Sequence, residues 1–573
     1  DSRPAQPADG IGTGDDWPTV GGGTDEASYS TLDSITTRNA DDLGLAWALD
    51  LPDEVTLEAT PLAIDGTLYF SGSYANVYAV DGQTGAQKWQ YDPKTWEVNP
   101  DKMHFSFGAN RGVAYEDGKI FVAALDCRLI ALDAKTGEEL WVEYSAPRDA
   151  LNICTGAPRT MNGKVIIGNG GADFGARGFV TAFDGATGKQ LWRFYTVPGS
   201  PEQNEGNAAM ELAAGTWGED FWKTTGGGGT VWNGITFDPE MNQVYIGVGN
   251  AGPYDPVARD PGGTDNLFTV SIVALNADSG DYVWHYQQNP RDAWDYNSTP
   301  NMVSATLTID GEARKVLMHA PTNGYFYVLD RETGKLVNTP GATTEITWAK
   351  GIDFETGRPI ENPDIRYESG ETKIWPGTIG GHNWQAMSYN PKLGLVYIPV
   401  HQIGAFFRRA DPGEGATDDS FNVLGLVTGQ VVEKPDDGHG FLVAWDPVAQ
   451  KEAWRVKHDT LWNGGTLTTA GGVVFQGMAD GWFSAYDGKS GKRLWRFDTG
   501  LGIIAAPMSY RIGDTQYVSI LVGYGGTAAA YGRHMDEGWK YGAQPRRLLT
   551  FALGADGTLP KGPGPDFKIA ALD

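Results

Sequence analysis

Cys127 and Cys154 are the only thiols in this 573-residue chain, and their spacing limits what they can do. No C-x-x-C pair occurs, which excludes a zinc ribbon, a thioredoxin-type dithiol and the C-x-x-C-H attachment of c-type haem. Two readings stay open: free thiols packed in a core, or a bridge whose closed loop would stabilise the fold by roughly 3–4 kcal/mol on a chain-entropy estimate. A second phrase with chemical content is VIIGNGGADFG, a strand running into glycines. Such a loop cradles dinucleotide phosphates only when it opens a helix. Here RGFVTAFDG, a strand and turn, follows, so the nicotinamide reading fails.

The elements that must position any site are short strands. Gly 78, Pro 32 and Trp 20, with 12% aromatics, suit many tight turns and pleated surfaces. A hydrophobic share of 40% can bury a core and excludes general disorder. The net charge of −28 repels nucleic acid and anionic lipid. It would attract a basic partner protein, or serve solubility alone. No apolar run approaches the ~20 residues that span a bilayer. Residues 1–16 read as the flexible start of an exported chain whose signal has been removed, which implies a periplasmic location.

Self-similarity organises the whole length. VYAVDGQTGAQKW at 77–89 recurs as LIALDAKTGEELW at 129–141, VTAFDGATGKQLW at 180–192, IVALNADSGDYVW at 272–284 and FSAYDGKSGKRLW at 483–495, with weaker copies between. Each copy is a strand, a D-x-x-T-G-type turn and a return strand closed by Trp; another hairpin lies upstream of most copies. Four strands at roughly fifty-residue spacing predict an all-β, eight-bladed β-propeller with W-type blade motifs, one domain over 1–573. LGLAWALDL at 43–51 is expected to complete a blade with the C-terminal strands. Stretches 196–230, 338–382 and 402–440 do not repeat and read as long loops over one face.

The phrases between these copies resemble the PQQ-dependent alcohol dehydrogenases, the quinoproteins related to methanol and ethanol dehydrogenases. LEATPLAIDGTLYF, NRGVAYEDGKIFVAALDCRLIALD, GGGGTVWNGITFDP, YIGVGN, AWDYN, APTNGYFYVLDR and GGHNWQAMSYNP carry the resemblance in family order over nearly the full chain. It implies a pyrroloquinoline quinone (PQQ) stacked on Trp232, with a carboxylate paired to Arg111. It also implies polar or wall contacts from Glu58, Thr155, Gly171, Ala172, Asp173, Thr230, Thr322, Asn383 and Trp384. A Ca²⁺ beside the quinone would be held by Asp173, Asn250 and Asp295. Asp295 would be the catalytic base, taking the hydroxyl proton of a small-molecule alcohol.

Several departures from the family pattern bear on the site. Asp173 is one methylene shorter than the usual glutamate, which Ca²⁺ tolerates. Asn297 stands where lanthanide-using relatives carry a second aspartate, so Ca²⁺ is expected over a trivalent ion. Phe105 and Ser106 replace the family's adjacent cysteines, and Thr322 replaces a cation. These changes point to a bulky or secondary alcohol, or a polyol. A Cys127–Cys154 bridge would clamp the strand leading to Thr155. With no haem motif in the sequence, electrons are expected to leave to a separate acceptor such as a soluble cytochrome c. The alternative is a non-catalytic propeller that scaffolds binding or assembly, though such a protein has no reason to keep Arg111, Asp173, Asn250 and Asp295 together.

Overall fold

A computed structural model of the chain describes residues 13–103, 108–409, 426–526 and 545–561. Phe105 and Ser106, most of residues 1–16, and parts of the 402–440 stretch lie outside the described residues.

Strand burial follows position within each sheet. Middle strands such as Arg128–Asp133 and Ser271–Asn276 are buried on both faces up to their last residue. Outer strands such as Lys451–Lys457 alternate exposed and half-buried positions. Sheets therefore stack face to face, with only their outer edges meeting water. The sheets are mostly four-stranded and built from antiparallel strands consecutive in the chain, as in Leu62–Ile64, Thr67–Ser71, Val77–Asp81 and Gln87–Tyr91, although Tyr29–Ser30 adds a parallel fifth strand beside Thr466–Thr469.

The recurring phrase has a physical reason that spans two sheets. In the D-x-x-T-G turn, Asp81 Oδ1 accepts from the backbone N–H and the hydroxyl of Thr84, both at 2.9 Å. The turn's glycine then seats the tryptophan of the preceding sheet. Gly137 has φ +73°, and a Cβ there would meet the Trp89 ring at 2.7 Å. Trp89 also donates to Ala134 O at 3.0 Å. The same bond runs from Trp47, Trp141, Trp192, Trp284 and Trp454 to the sheet that follows each.

Trp495 closes the series by donating to Leu43 O at 2.9 Å. Leu43–Leu51 pairs antiparallel with Arg546–Leu553, so the first long strand completes a sheet with Met508–Ile512 and Thr515–Val522 from the far end, as the sequence predicted. On the inner side the first strand of one sheet packs on the next: Arg159–Met161 lies against Ala114–Glu116 and Ile235–Asp238, which lies against Met302–Ile309.

All three stretches read as loops carry structure of their own. Residues 196–230 hold the helices Pro201–Asn204 and Ala208–Ala214, started by Ser200 and Asn207 caps that helical periodicity does not reveal in segments so short. Thr372–Ile374, Gly404–Arg409 and Leu426–Val431 form a three-stranded sheet. Cys127 and Cys154 are bridged, with Cα atoms 5.0 Å apart, which settles the two readings of the thiols. No described helix is long and apolar enough to cross a membrane.

Candidate active site

Arg111 lies at the centre of the first half of the site. Its guanidinium carbon sits 5.1 Å from the Trp232 ring centroid and 4.9 Å from that of Trp384, so two indoles flank one cation. Nη1 donates to Thr155 Oγ1 at 2.7 Å, and the Arg111 backbone N–H donates to Thr155 O at 2.9 Å. Gly156 lets this strand meet Trp232, because a Cβ would come within 2.5 Å of Trp232 O. Glu58 Oε2 pairs with Arg111 Nε at 3.3 Å, yet neither atom makes a hydrogen bond among the described residues. Thr230 Oγ1, two residues before Trp232, is buried and makes no hydrogen bond among the described residues. Burial pushes the Glu58 carboxyl up and the Arg111 guanidinium down, and each opposes the shift in the other. Buried polar atoms left unsatisfied between aromatic faces suit a planar, carboxylate-bearing ligand that would complete their bonds.

The second half gathers acids. Gly171, at φ +105°, turns the chain into the short Ala172–Phe174 helix that presents Asp173. Asn250 Nδ2 donates to Asp173 Oδ1 at 3.1 Å, and the Tyr254 hydroxyl donates to the same oxygen at 2.9 Å. Tyr254 also stands close enough to the Asp295 carboxyl to lower its proton affinity. Burial first, then the charges of Asp173 and Asp292, holds Asp295 well above the usual carboxylate range; burial likewise raises Asp173. Asp295 sits at φ +64°, a left-handed conformation that costs energy outside glycine and marks a constrained position. The Asp173 and Asp295 carboxylates, with the Asn250 amide against Asp173, form a hard, anionic set short of positive charge, which fits a divalent cation such as Ca²⁺.

Asn297 joins the halves. Its Oδ1 accepts from Trp232 Nε1 at 3.1 Å and from the Asn250 backbone N–H at 3.0 Å. Its Nδ2 donates to Asp295 O at 2.8 Å and Asp295 Oδ1 at 3.2 Å. Its backbone N–H donates to Thr322 Oγ1 at 2.6 Å. Thr322 is thus spent on the scaffold, and its carbonyl accepts from Gly381 N–H at 2.9 Å, anchoring the loop that carries Trp384. Asn383 likewise works within that loop: Oδ1 accepts from the Trp384 N–H at 2.8 Å and Nδ2 donates to Ile379 O at 2.9 Å.

The residues named from sequence therefore converge, with Thr322 and Asn383 as supports. Tyr254 was not singled out, because a tyrosine in GPYDP has no distinguishing signal. Asn297 was read only as the absence of an acid, whereas it is the hub. Asp292 was also missed. It is fully buried, its carboxyl is raised to about 7 chiefly by burial, and it accepts from the backbone N–H groups of Trp294 and Tyr296 on either side of Asp295.

Residues 17–340 and 359–518 match the family described as PQQ, glucose/ethanol/alcohol dehydrogenase, beta-propeller domain. The quinohemoprotein alcohol dehydrogenase ADH IIB of Pseudomonas putida is 45% identical over 550 residues, covering 96% of this chain and 79% of the relative. The 1-butanol dehydrogenase (cytochrome c) of Thauera butanivorans is 40% identical over 96% of this chain and 79% of its own length. Among solved structures, the quinohemoprotein alcohol dehydrogenase of Comamonas testosteroni superposes with a TM-score of 0.88 at 43% identity, over 96% of this chain and 82% of that one. A europium-containing methanol dehydrogenase gives 0.85 at 32% identity, over 94% and 98%.

Proposed function

The chain belongs to the β-propeller family of PQQ-dependent alcohol dehydrogenases, and on that footing we propose that it oxidises a bulky or secondary alcohol, or a polyol, with PQQ and Ca²⁺ held between Arg111 and Asp295. We read its sheets as the eight blades of one propeller. PQQ, when bound, supplies the two-electron acceptor for the hydride of the carbinol carbon.

The chain's own residues do the rest. Trp232 offers the flat face, fixed in its plane by Asn297. Arg111, Thr155, Thr230 and Glu58 would meet the ligand's polar rim. Asp173, Asn250 and Asp295 would hold the cation. Asp295 takes the proton of the substrate hydroxyl, and its raised proton affinity makes it a stronger base than an ordinary carboxylate. Beside a bound cation, Asp295 would be held in the ionised form that accepts the proton. The convergence of both halves on Asn297 carries the reading, since a propeller used only as a scaffold needs no such joint. The acidic surface suits a soluble cytochrome c as electron acceptor, and export to the periplasm would place the chain beside one.

The test is reconstitution with PQQ and Ca²⁺ and an alcohol panel read by bleaching of a redox dye. Wild type should turn over, and Asp295→Asn should keep PQQ while losing ~10²–10⁴-fold in turnover. Near-normal activity of the variant would remove Asp295 from the base role.

A further inference from the structure

Asp173 is a carboxylate on a short arm, and a tyrosine hydroxyl stands beside it. The Tyr254 hydroxyl bonds Asp173 Oδ1 at 2.9 Å and also reaches the Asp295 carboxyl, so one phenol oxygen lies between the two acids of the proposed cation site. Tyr254 is held there from both sides. Its ring is buried, 6% exposed, in a cluster with Tyr245, Trp294 and Tyr296. Its carbonyl accepts from Arg259 Nη1 at 3.2 Å, and that fully buried arginine also donates to Asp292 O at 2.9 Å, under the turn that carries Asp295. The backbone on which the phenol rides is therefore tied to the segment that presents the base.

Two like charges facing each other across a buried space repel and tend to splay. A phenol that donates to one acid and stands beside the other holds the two at one separation before any cation arrives. We propose that Tyr254 is a positioning residue for the cation: its hydroxyl sets the gap between Asp173 and Asp295 and makes good the methylene that Asp173 lacks. This rests on the metal site proposed above. The geometry gives the phenol a task that a longer carboxylate at position 173 would not need, because a glutamate would reach the same place unaided. Partners that orient metal ligands typically alter affinity by ~10–100-fold when removed.

The experiment is calorimetric titration of Ca²⁺ into metal-stripped protein supplied with PQQ, for wild type, Tyr254→Phe, Asp173→Glu and the double variant. Wild type should bind one Ca²⁺. Tyr254→Phe should raise the Kd ~10-fold or more while the denaturant midpoint of the metal-free protein stays near that of wild type. In the Asp173→Glu background the same loss of hydroxyl should change the Kd less than ~3-fold, a non-additivity that general damage to the fold would not produce. Equal Kd values for wild type and Tyr254→Phe, or identical losses in both backgrounds, would overturn the inference and leave the metal site standing. A wild type that binds no Ca²⁺ would overturn the site itself, and the inference with it.

Discussion

The indole N–H of Trp232 and the side-chain oxygen of Asn297 are joined by a 3.1 Å hydrogen bond, and through it the aromatic floor of the site is tied to the segment that holds Asp295. Because the same amide donates to Asp295, orientation of the floor and placement of the base are one problem solved by one side chain.

Asn297→Asp keeps the acceptor for Trp232 and removes the donor to Asp295, adding a third carboxylate to the cluster. The expected outcome is a shift toward trivalent ions: La³⁺ should bind the variant tighter relative to Ca²⁺ by ~10-fold or more than it binds wild type, as hard cations follow ligand charge. Competition titration of the two ions checks this.

Arg111→Lys retains the charge but loses the planar fork and the stack between Trp232 and Trp384. PQQ affinity should fall ~10-fold or more, read by quenching of tryptophan fluorescence on titration with PQQ. Unchanged affinity would place the cofactor carboxylates elsewhere.

The Cys127–Cys154 bridge spans 27 positions, and its loss should cost about 3–4 kcal/mol on the chain-entropy estimate. Cys127→Ser/Cys154→Ser should unfold at a lower guanidinium concentration than oxidised wild type, and a reductant should leave the variant's midpoint unchanged. Cys154 N–H donates to Leu125 O and Cys154 is joined to Thr155, so the PQQ affinity of the variant should fall as well.

Buried carboxyls make the metal-free protein sensitive to pH. Burial raises Asp25 to about 8 and Asp292 to about 7, and also raises Asp173 and Asp295. A carboxyl with a raised folded-state pKa binds its proton more tightly when folded, so its stabilising contribution is complete below ~4, the usual unfolded value, and is lost as pH rises toward 7–8. Denaturant midpoints in chelator should therefore be lower at pH 8 than at pH 5.5. Ca²⁺ should restore the part due to Asp173 and Asp295 at pH 8 and leave the part due to Asp25 and Asp292.

Much of the fold is legible in the amino-acid order. The repeat predicts the strands, the turns and the joining of residues 43–51 to the far end, because a D-x-x-T-G turn and a period-two strand are local in cause. The motif tryptophans were assigned to their own return strands, where they do sit. That these tryptophans pack on the next sheet could not be read, since the partner lies 34 to 85 residues onward, and 452 residues back for Trp495, with nothing in the spacing to name it.

The amino-acid order by itself determined the all-β repeat, the two cysteines able to pair, and the set of acids, amides and aromatics from Glu58 to Trp384 available for a site. Only the tertiary structure decided that Tyr254 stands between Asp173 and Asp295 and that Asn297 joins both halves. Those contacts depend on how successive sheets are rotated about a common centre, and that rotation is set by packing between sheets rather than by the residues flanking any one of them.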